Sequence, residues 1–307
     1  VRDYIGKYVT LFRPKTMLIY LFPMVLAISA GIDMVEHGTA KAVGYSWVSV
    51  LFAYLALFCG WFFASTLNFY ADVPSDRIHD GLYKADKDIA RQPFATGDMS
   101  RLETILAFGV SLIGCVVFSF LVNVRFAAFL IGSMVVLIGV LYSHPWFRFK
   151  AKPVLDVVTN ATGAVLILCA GMAVVSSDFP PIQPIIFGWL FSANLYMPSV
   201  ANDAPFDGAA GYRTSGVVFG QRRLIHAMIP ATVLVTATGI WAALSRSLNW
   251  QYRLFNGLGI FAVIGFTILM FVLFHPPHIE LNANIIIYPL AAMLLFYVAL
   301  TIYELAV

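Results

Sequence analysis

The sequence predicts an all-α integral membrane protein: nine transmembrane helices in one bundle enclosing a lipophilic chamber, with a polar cap on the cytoplasmic side. Three observations predict it. Hydrophobic residues make up 60% of the 307-residue chain and charged residues only 11%, at a mean hydropathy of +0.83, whereas about a quarter of a soluble domain is charged. Nine apolar runs approach the ~20 residues that a helix needs to cross a bilayer. Finally, the cations segregate between alternate connections.

The nine runs are Met17 to Ile32, Ser46 to Asn68, Ile105 to Val122, Phe126 to Tyr142, Pro153 to Val175, Ile182 to Val200, Leu224 to Leu244, Leu254 to Phe274 and Ile285 to Tyr303. Before them, RDYIGKYVTLFRPK places Tyr4, Ile5, Tyr8, Val9 and Phe12 on one side of a helix, the pattern of a segment lying in the membrane interface. Residues 1–16 are therefore expected as an interfacial lead-in to a single transmembrane domain spanning 1–307, and their mixed, charged character does not suit a cleavable signal.

Nine spans place 15 of the 19 Lys and Arg residues on one side: Arg2, Lys7, Arg13 and Lys15; Arg77, Lys84, Lys87, Arg91 and Arg101; Arg148, Lys150 and Lys152; and Arg213, Arg222 and Arg223. Loops rich in Lys and Arg stay cytoplasmic. The N-terminus is thus expected inside. The net charge of +3 reflects this topology, and no basic stretch is dense enough to argue for nucleic acid. Cys59, Cys115 and Cys169 all fall within apolar runs and read as small core residues.

Two acidic clusters end apolar runs, both on the expected cytoplasmic side. NFYADVPSD spaces Asn68, Asp72 and Asp76 by four, and NDAPFD spaces Asp203 and Asp207 by four. A spacing of four puts each set on one helix face. Carboxylates beside hydrocarbon are costly and point to function. Oxygen ligands in register would repel one another unless a hard cation joined them, and magnesium suits a few carboxylates combined with phosphate oxygens. These five residues are the candidate ligands for two Mg2+ ions that would grip a diphosphate. Pro74 is expected to break the first helix and put Asp76 on unwound backbone, while Pro205 and Gly208 suggest a helix giving way to a loop.

Cations follow each cluster, and guanidinium groups match phosphate oxygens. Arg77, Lys87, Arg91, Arg148 and Lys150 are the candidate diphosphate-binding residues. Tyr142 and Ser143 close the fourth run just before His144, Pro145 and the basic triplet, where Tyr142 is an interfacial belt residue, or the Tyr142 and Ser143 oxygens touch the diphosphate, or the ring faces developing positive charge. Within the membrane, Asp156 and Asn160 share a face of the fifth run and Asn194 lies in the sixth, and such groups normally face the bundle interior. His226 reads as an interfacial or core residue rather than a general base. Phe63, Phe69, Tyr70, Trp189 and Tyr196 are further aromatic residues able to shield a cation. The connections 69–102 and 203–223 are longer than packing requires, as functional loops are.

The two motifs, with RQPFATG at Arg91 to Gly97, YSHPWFRFK at Tyr142 to Lys150 and ANDAPFDGAAGYRT, resemble the UbiA superfamily of intramembrane prenyltransferases over nearly the whole chain. The family's Arg-Pro stands here as Arg91-Gln92-Pro93. The resemblance implies that Asn68, Asp72, Asp76, Asp203 and Asp207 bind Mg2+ and an isoprenyl diphosphate, helped by Tyr142, Ser143 and Arg148. It also implies transfer of the isoprenyl group to a lipophilic acceptor, with diphosphate released. A membrane terpene cyclase would use the same site without an acceptor. A cation-coupled transporter would place its acids near the midplane, and a CDP-alcohol phosphotransferase would carry its acids in one continuous motif.

Overall fold

A computed structural model describes residues 2–82, 93–245 and 249–273, together with 295, 297–299 and 302. Ten α-helices are defined: α1 Arg2–Phe12, α2 Pro14–Glu36, α3 Trp47–Leu82, α4 Arg101–Val122, α5 Val124–Ile131, α6 Leu155–Val175, α7 Ile182–Ala209, α8 Ser215–Phe219, α9 Gln221–Leu244 and α10 Trp250–Leu273. Among the described residues there is no sheet, only an isolated antiparallel bridge between Ala42 and Ser176. Among the described residues, seven segments are long and apolar enough to cross a membrane, α5 counting together with its continuation to Leu141. The chain is an integral, multi-pass membrane protein of all-α class. The ninth run, Ile285 to Tyr303, falls almost wholly outside the described residues.

Local signals fix several helix ends. Pro14 starts α2 at a position where a missing N–H costs nothing. Ser100 caps α4 in a reciprocal box with Glu103. One expected break does not occur. α3 continues through Pro74 to Leu82, so Asp76 lies on helix and not on unwound backbone. α7 passes through Pro198 and Pro205 and gives way to a turn after Ala209, next to Gly208 as expected. A proline removes only one hydrogen bond and crowds one carbonyl, and intact turns on both sides carry the helix across. Both helices therefore run past the apolar stretch and project their acids beyond it.

The helix begun by α5 widens into a π-helix over Gly132–Leu141. Each such turn takes in an extra residue and re-aims the side chains after it, here those of Tyr142 and Ser143. The bundle core is built largely on α2 and α6, whose inner faces are almost continuously buried. They approach closely because Gly171 faces the Met24 carbonyl, where a Cβ would lie only 2.6 Å from the oxygen, the small-residue contact typical of helices in lipid. α1 meets the bundle through Lys7 Nζ, 2.6 Å from Glu103 Oε1, and through Trp61 Nε1, which donates to the Phe12 carbonyl. Ile5 and Val9 stay exposed on α1, as an interfacial helix requires.

Candidate active site at the acidic end of the bundle

The ends of α3 and α7, the turn after the π-helix and the α1–α2 junction surround one cavity of about 820 Å3. Asn68, Asp72 and Asp76 enter it from α3 and Asp203 and Asp207 from α7, with Tyr142, Ser143 and Lys150 completing the wall. Two motifs more than a hundred residues apart thus share one space. Arg148 reaches it from behind, its Nη2 lying 3.5 Å from Asp72 Oδ1. Arg77 belongs to α3 but its side chain is outside the described set, and Lys87 and Arg91 lie outside the described residues altogether.

Asp72 is the electrostatic centre of this wall. Lys150 Nζ stands 2.5 Å from Asp72 Oδ1, and the Asn68 amide, oriented by its partners, donates to Asp72 Oδ2 at 3.1 Å and accepts from Lys150 at 3.3 Å. With the amide turned the other way, Asn68 Nδ2 faces Ser143 Oγ at 3.3 Å. Burial pulls the Lys150 ammonium below its ordinary range while Asp72 pulls it back. Asp203 and Asp207 lie beyond the apolar part of α7. Crowding by protein, followed by repulsion from Asp207, pushes the Asp203 carboxyl up to about 7 even though its surface is open to the cavity. Burial pushes Asp207 up to about 6, with a hydrogen bond from Thr214 opposing it and the Asp72 charge adding to it.

Among the described residues, no three His, Cys, Asp or Glu side chains converge tightly enough to hold a metal alone. The donor set is nevertheless that of a hard cation: carboxylate and amide oxygens only. The mutual repulsion of the acids marks a shortage of positive charge that Mg2+ bridged by phosphate oxygens would relieve.

Sequence reasoning missed Arg13, which lines the cavity with its guanidinium 4.8 Å from the Phe69 ring centre. The signal available was the Arg13-Pro14 dipeptide that opens α2. Among the described residues the non-glycine positions with positive φ are Arg13 (46°), Arg148 (43°) and Val154 (71°). Arg13 lines this cavity and Arg148 reaches Asp72 from behind it, in keeping with the way backbone strain collects at functional sites. Tyr212 was also missed; it lines the cavity, stacks 4.1 Å from Arg148 Cζ and accepts a hydrogen bond from that guanidinium.

A second, largely apolar cavity of about 250 Å3 adjoins the first between α2, α6, α7 and α10. Thr16, Tyr20, Asn160, Tyr196 and Ser199 line both. Tyr20 donates to Asn160 Oδ1 at 2.9 Å, and the Tyr142 and Tyr196 hydroxyls are hydrogen-bonded. Phe22, Leu26, Leu168, Phe191 and Phe255 form the deeper walls. Of the other aromatic candidates, Phe69 and Tyr196 line the first cavity, whereas Phe63, Tyr70 and Trp189 do not. Asn194 faces the bundle interior, as expected, bonded to Thr232 at 2.9 Å and to the Met228 carbonyl. His226 stacks on Phe271 away from the cavity, and the three cysteines are free.

The model of the UbiA prenyltransferase family matches residues 38–280. A UbiA homolog from Archaeoglobus fulgidus, solved bound to DMAPP and Mg2+, superposes with a TM-score of 0.84 at 25% identity, covering 98% of this chain and 99% of that one. An apo UbiA homolog from Aeropyrum pernix K1 shares the fold at a TM-score of 0.68 and 12% identity, over 94% and 97% of the two chains. Two proteins named lycopene elongase/hydratase are similar over shorter segments. The one from Haloferax volcanii is 38% identical over 86 residues, 28% of each chain, and the one from Halobacterium salinarum is 35% identical over 100 residues, 33% of each. The similarity thus spans a third or less of these curated relatives. With a family match covering most of its length and the fold shared end to end, the chain belongs to the UbiA prenyltransferase family.

Proposed function

We propose that the chain is an Mg2+-dependent intramembrane prenyltransferase that moves an isoprenyl group from a polyprenyl diphosphate to a lipophilic acceptor and releases diphosphate. One observation carries the reading: both acidic motifs and the cations Lys150 and Arg13 line one cavity, which shares a ring of polar residues with an adjoining, largely apolar cavity. Such an arrangement suits a donor whose head is anionic and whose tail dissolves in lipid. The family membership and the DMAPP and Mg2+ bound by the Archaeoglobus fulgidus homolog support it.

In this reading, nine spans form one transmembrane domain over residues 1–307, with 1–16 in the interface, the N-terminus cytoplasmic and the acidic end forming a polar cap toward the cytoplasm. Asn68, Asp72 and Asp76 on one side and Asp203 and Asp207 on the other hold two Mg2+ ions, which supply charge neutralisation to the leaving diphosphate. Lys150, Arg148 and Arg13 bind phosphate oxygens, as do Ser143 and the cations Arg77, Lys87 and Arg91. The isoprenyl tail lies against Phe22, Leu26, Leu168 and Phe191. The reacting allylic carbon then sits at the ring of Tyr20, Asn160 and Tyr196, with Tyr142 beside it, where aromatic faces stabilise positive charge. The carbon–oxygen bond breaks with its electron pair leaving on diphosphate, a nucleophilic carbon or oxygen of the acceptor bonds to the freed carbon, and the proton that the acceptor loses passes to the released diphosphate. The names of the two archaeal relatives favour an isoprenoid polyene as acceptor.

The test is incubation of the purified protein with Mg2+, labelled allylic diphosphates and a panel of acceptors that includes lycopene, with products identified by mass. The reading expects a prenylated acceptor and free diphosphate. Cyclised or unreacted donor with every acceptor contradicts it.

A further inference from the structure

Asp156 is a buried carboxylate, 1% exposed, in the first turn of α6. Its Oδ2 accepts the Ser215 N–H at 2.7 Å and its Oδ1 accepts the Ser215 hydroxyl at 2.6 Å, across 59 residues of chain. Oδ1 also accepts the Val157 N–H at 2.9 Å. The Ser215 oxygen in turn accepts the Val154 N–H at 2.7 Å. A β-branched residue at a φ of 71° is a strained one, and this bond satisfies an amide that, at the N-cap of α6, has no acceptor within its own helix. Ser215 can come this close because Gly216 packs on the Val200 carbonyl, where a Cβ would lie 2.2 Å from the oxygen.

The two segments joined here are those that carry the groups facing the acids. The segment before Val154 holds Arg148 and Lys150, both on Asp72. The segment before Ser215 holds Tyr212, stacked on Arg148, and Thr214, hydrogen-bonded to Asp207. We propose that Asp156 and Ser215 form a clasp that positions segments 148–154 and 212–216 against each other and so sets the cation and hydroxyl geometry of the diphosphate cavity. Both are positioning residues, and the proposal rests on the prenyl-diphosphate reading of that cavity. A cap serving α6 alone would need only the Val157 contact. The contacts to Ser215 instead tie the segment facing the first acidic motif to the segment facing the second through buried hydrogen bonds, which are costly to leave unmade.

The experiment compares the full-length protein with Ser215→Ala and with Asp156→Asn, which keeps an acceptor for the Ser215 amide. Hydrogen exchange and initial rates are measured on each. The clasp predicts that Ser215→Ala lowers amide protection in 150–158 as well as in 210–219 while the rest of the bundle stays protected. It also predicts that KM for the allylic diphosphate rises about tenfold, the cost of losing roughly one buried hydrogen bond, with kcat changed much less and Asp156→Asn falling between. Unchanged exchange at 150–158, an unchanged KM, or a global loss of protection overturns it. If the wild-type protein fails to saturate with allylic diphosphate, the functional reading fails, and the exchange result alone still decides whether the clasp couples the two segments.

Discussion

Lys150 Nζ lies 2.5 Å from Asp72 Oδ1, so the first acidic motif already holds a cation before any metal arrives. The pair is only 11% and 19% exposed at its side chains, with Arg148 behind it. A charge pair taken this far out of water relies on each partner for its solvation. In the proposed reading, metal and ammonium compete for Asp72 until a diphosphate offers Lys150 oxygens of its own.

That competition predicts opposite effects from one substitution. Lys150→Ala should tighten Mg2+ binding in the absence of donor and weaken donor binding in the presence of Mg2+, the latter by about tenfold or more, as expected for a lost hydrogen bond to a charged group. Calorimetric titration of Mg2+ with and without allylic diphosphate checks both signs. Movement of both affinities in the same direction contradicts the account.

The acids on α7 predict a pH dependence. Their carboxyls titrate higher folded than unfolded, Asp203 at about 7 and Asp207 at about 6, so the folded protein binds protons that the unfolded chain releases. The cost of folding with these groups ionised is thus present at pH 8 and removed as the pH falls through 7 and 6. In chelator, the apo protein should become more resistant to thermal unfolding over that interval, and Asp203→Asn should be more stable than wild type at pH 8 with a flatter profile. Mg2+ affinity should fall over the same interval, because ligation requires the ionised form. A profile for Asp203→Asn that parallels wild type removes the assignment.

Packing gives a prediction independent of chemistry. Gly171→Ala puts a methyl 2.6 Å from the Met24 carbonyl oxygen and must push α2 from α6. The expected loss is about 1–3 kcal/mol, the usual range for overpacking, read as a lower unfolding midpoint in detergent. Gly109→Ala, which meets nothing within 4 Å, is the control and should leave the midpoint unchanged or raised.

Much of this molecule was legible from its residues, and what was missed has a common cause. Hydrophobic runs gave α2, α4, α6, α9 and α10 to within a few residues, and the spacing of Asn68, Asp72 and Asp76 gave one face of α3, because both depend on local periodicity. Pro74 misled because proline reports a local penalty and not whether neighbouring turns outweigh it. The π-helix that aims Tyr142 has no compositional signature in GSMVVLIGVL. Arg13, Tyr212 and the Ser215 partner of Asp156 were missed because their roles arise only when distant segments meet, which no window along the chain records.

If the motifs on α3 and α7 act on one diphosphate, loss of an acid from either helix must stop the reaction. The direct measurement is Mg2+-dependent diphosphate release by the wild type, Asp72→Ala and Asp203→Ala, each shown to be folded by its unfolding transition. The account predicts turnover in the wild type and a loss of at least ~100-fold in either variant, the scale of removing one electrostatic contact in a transition state. Wild-type turnover in either variant contradicts it.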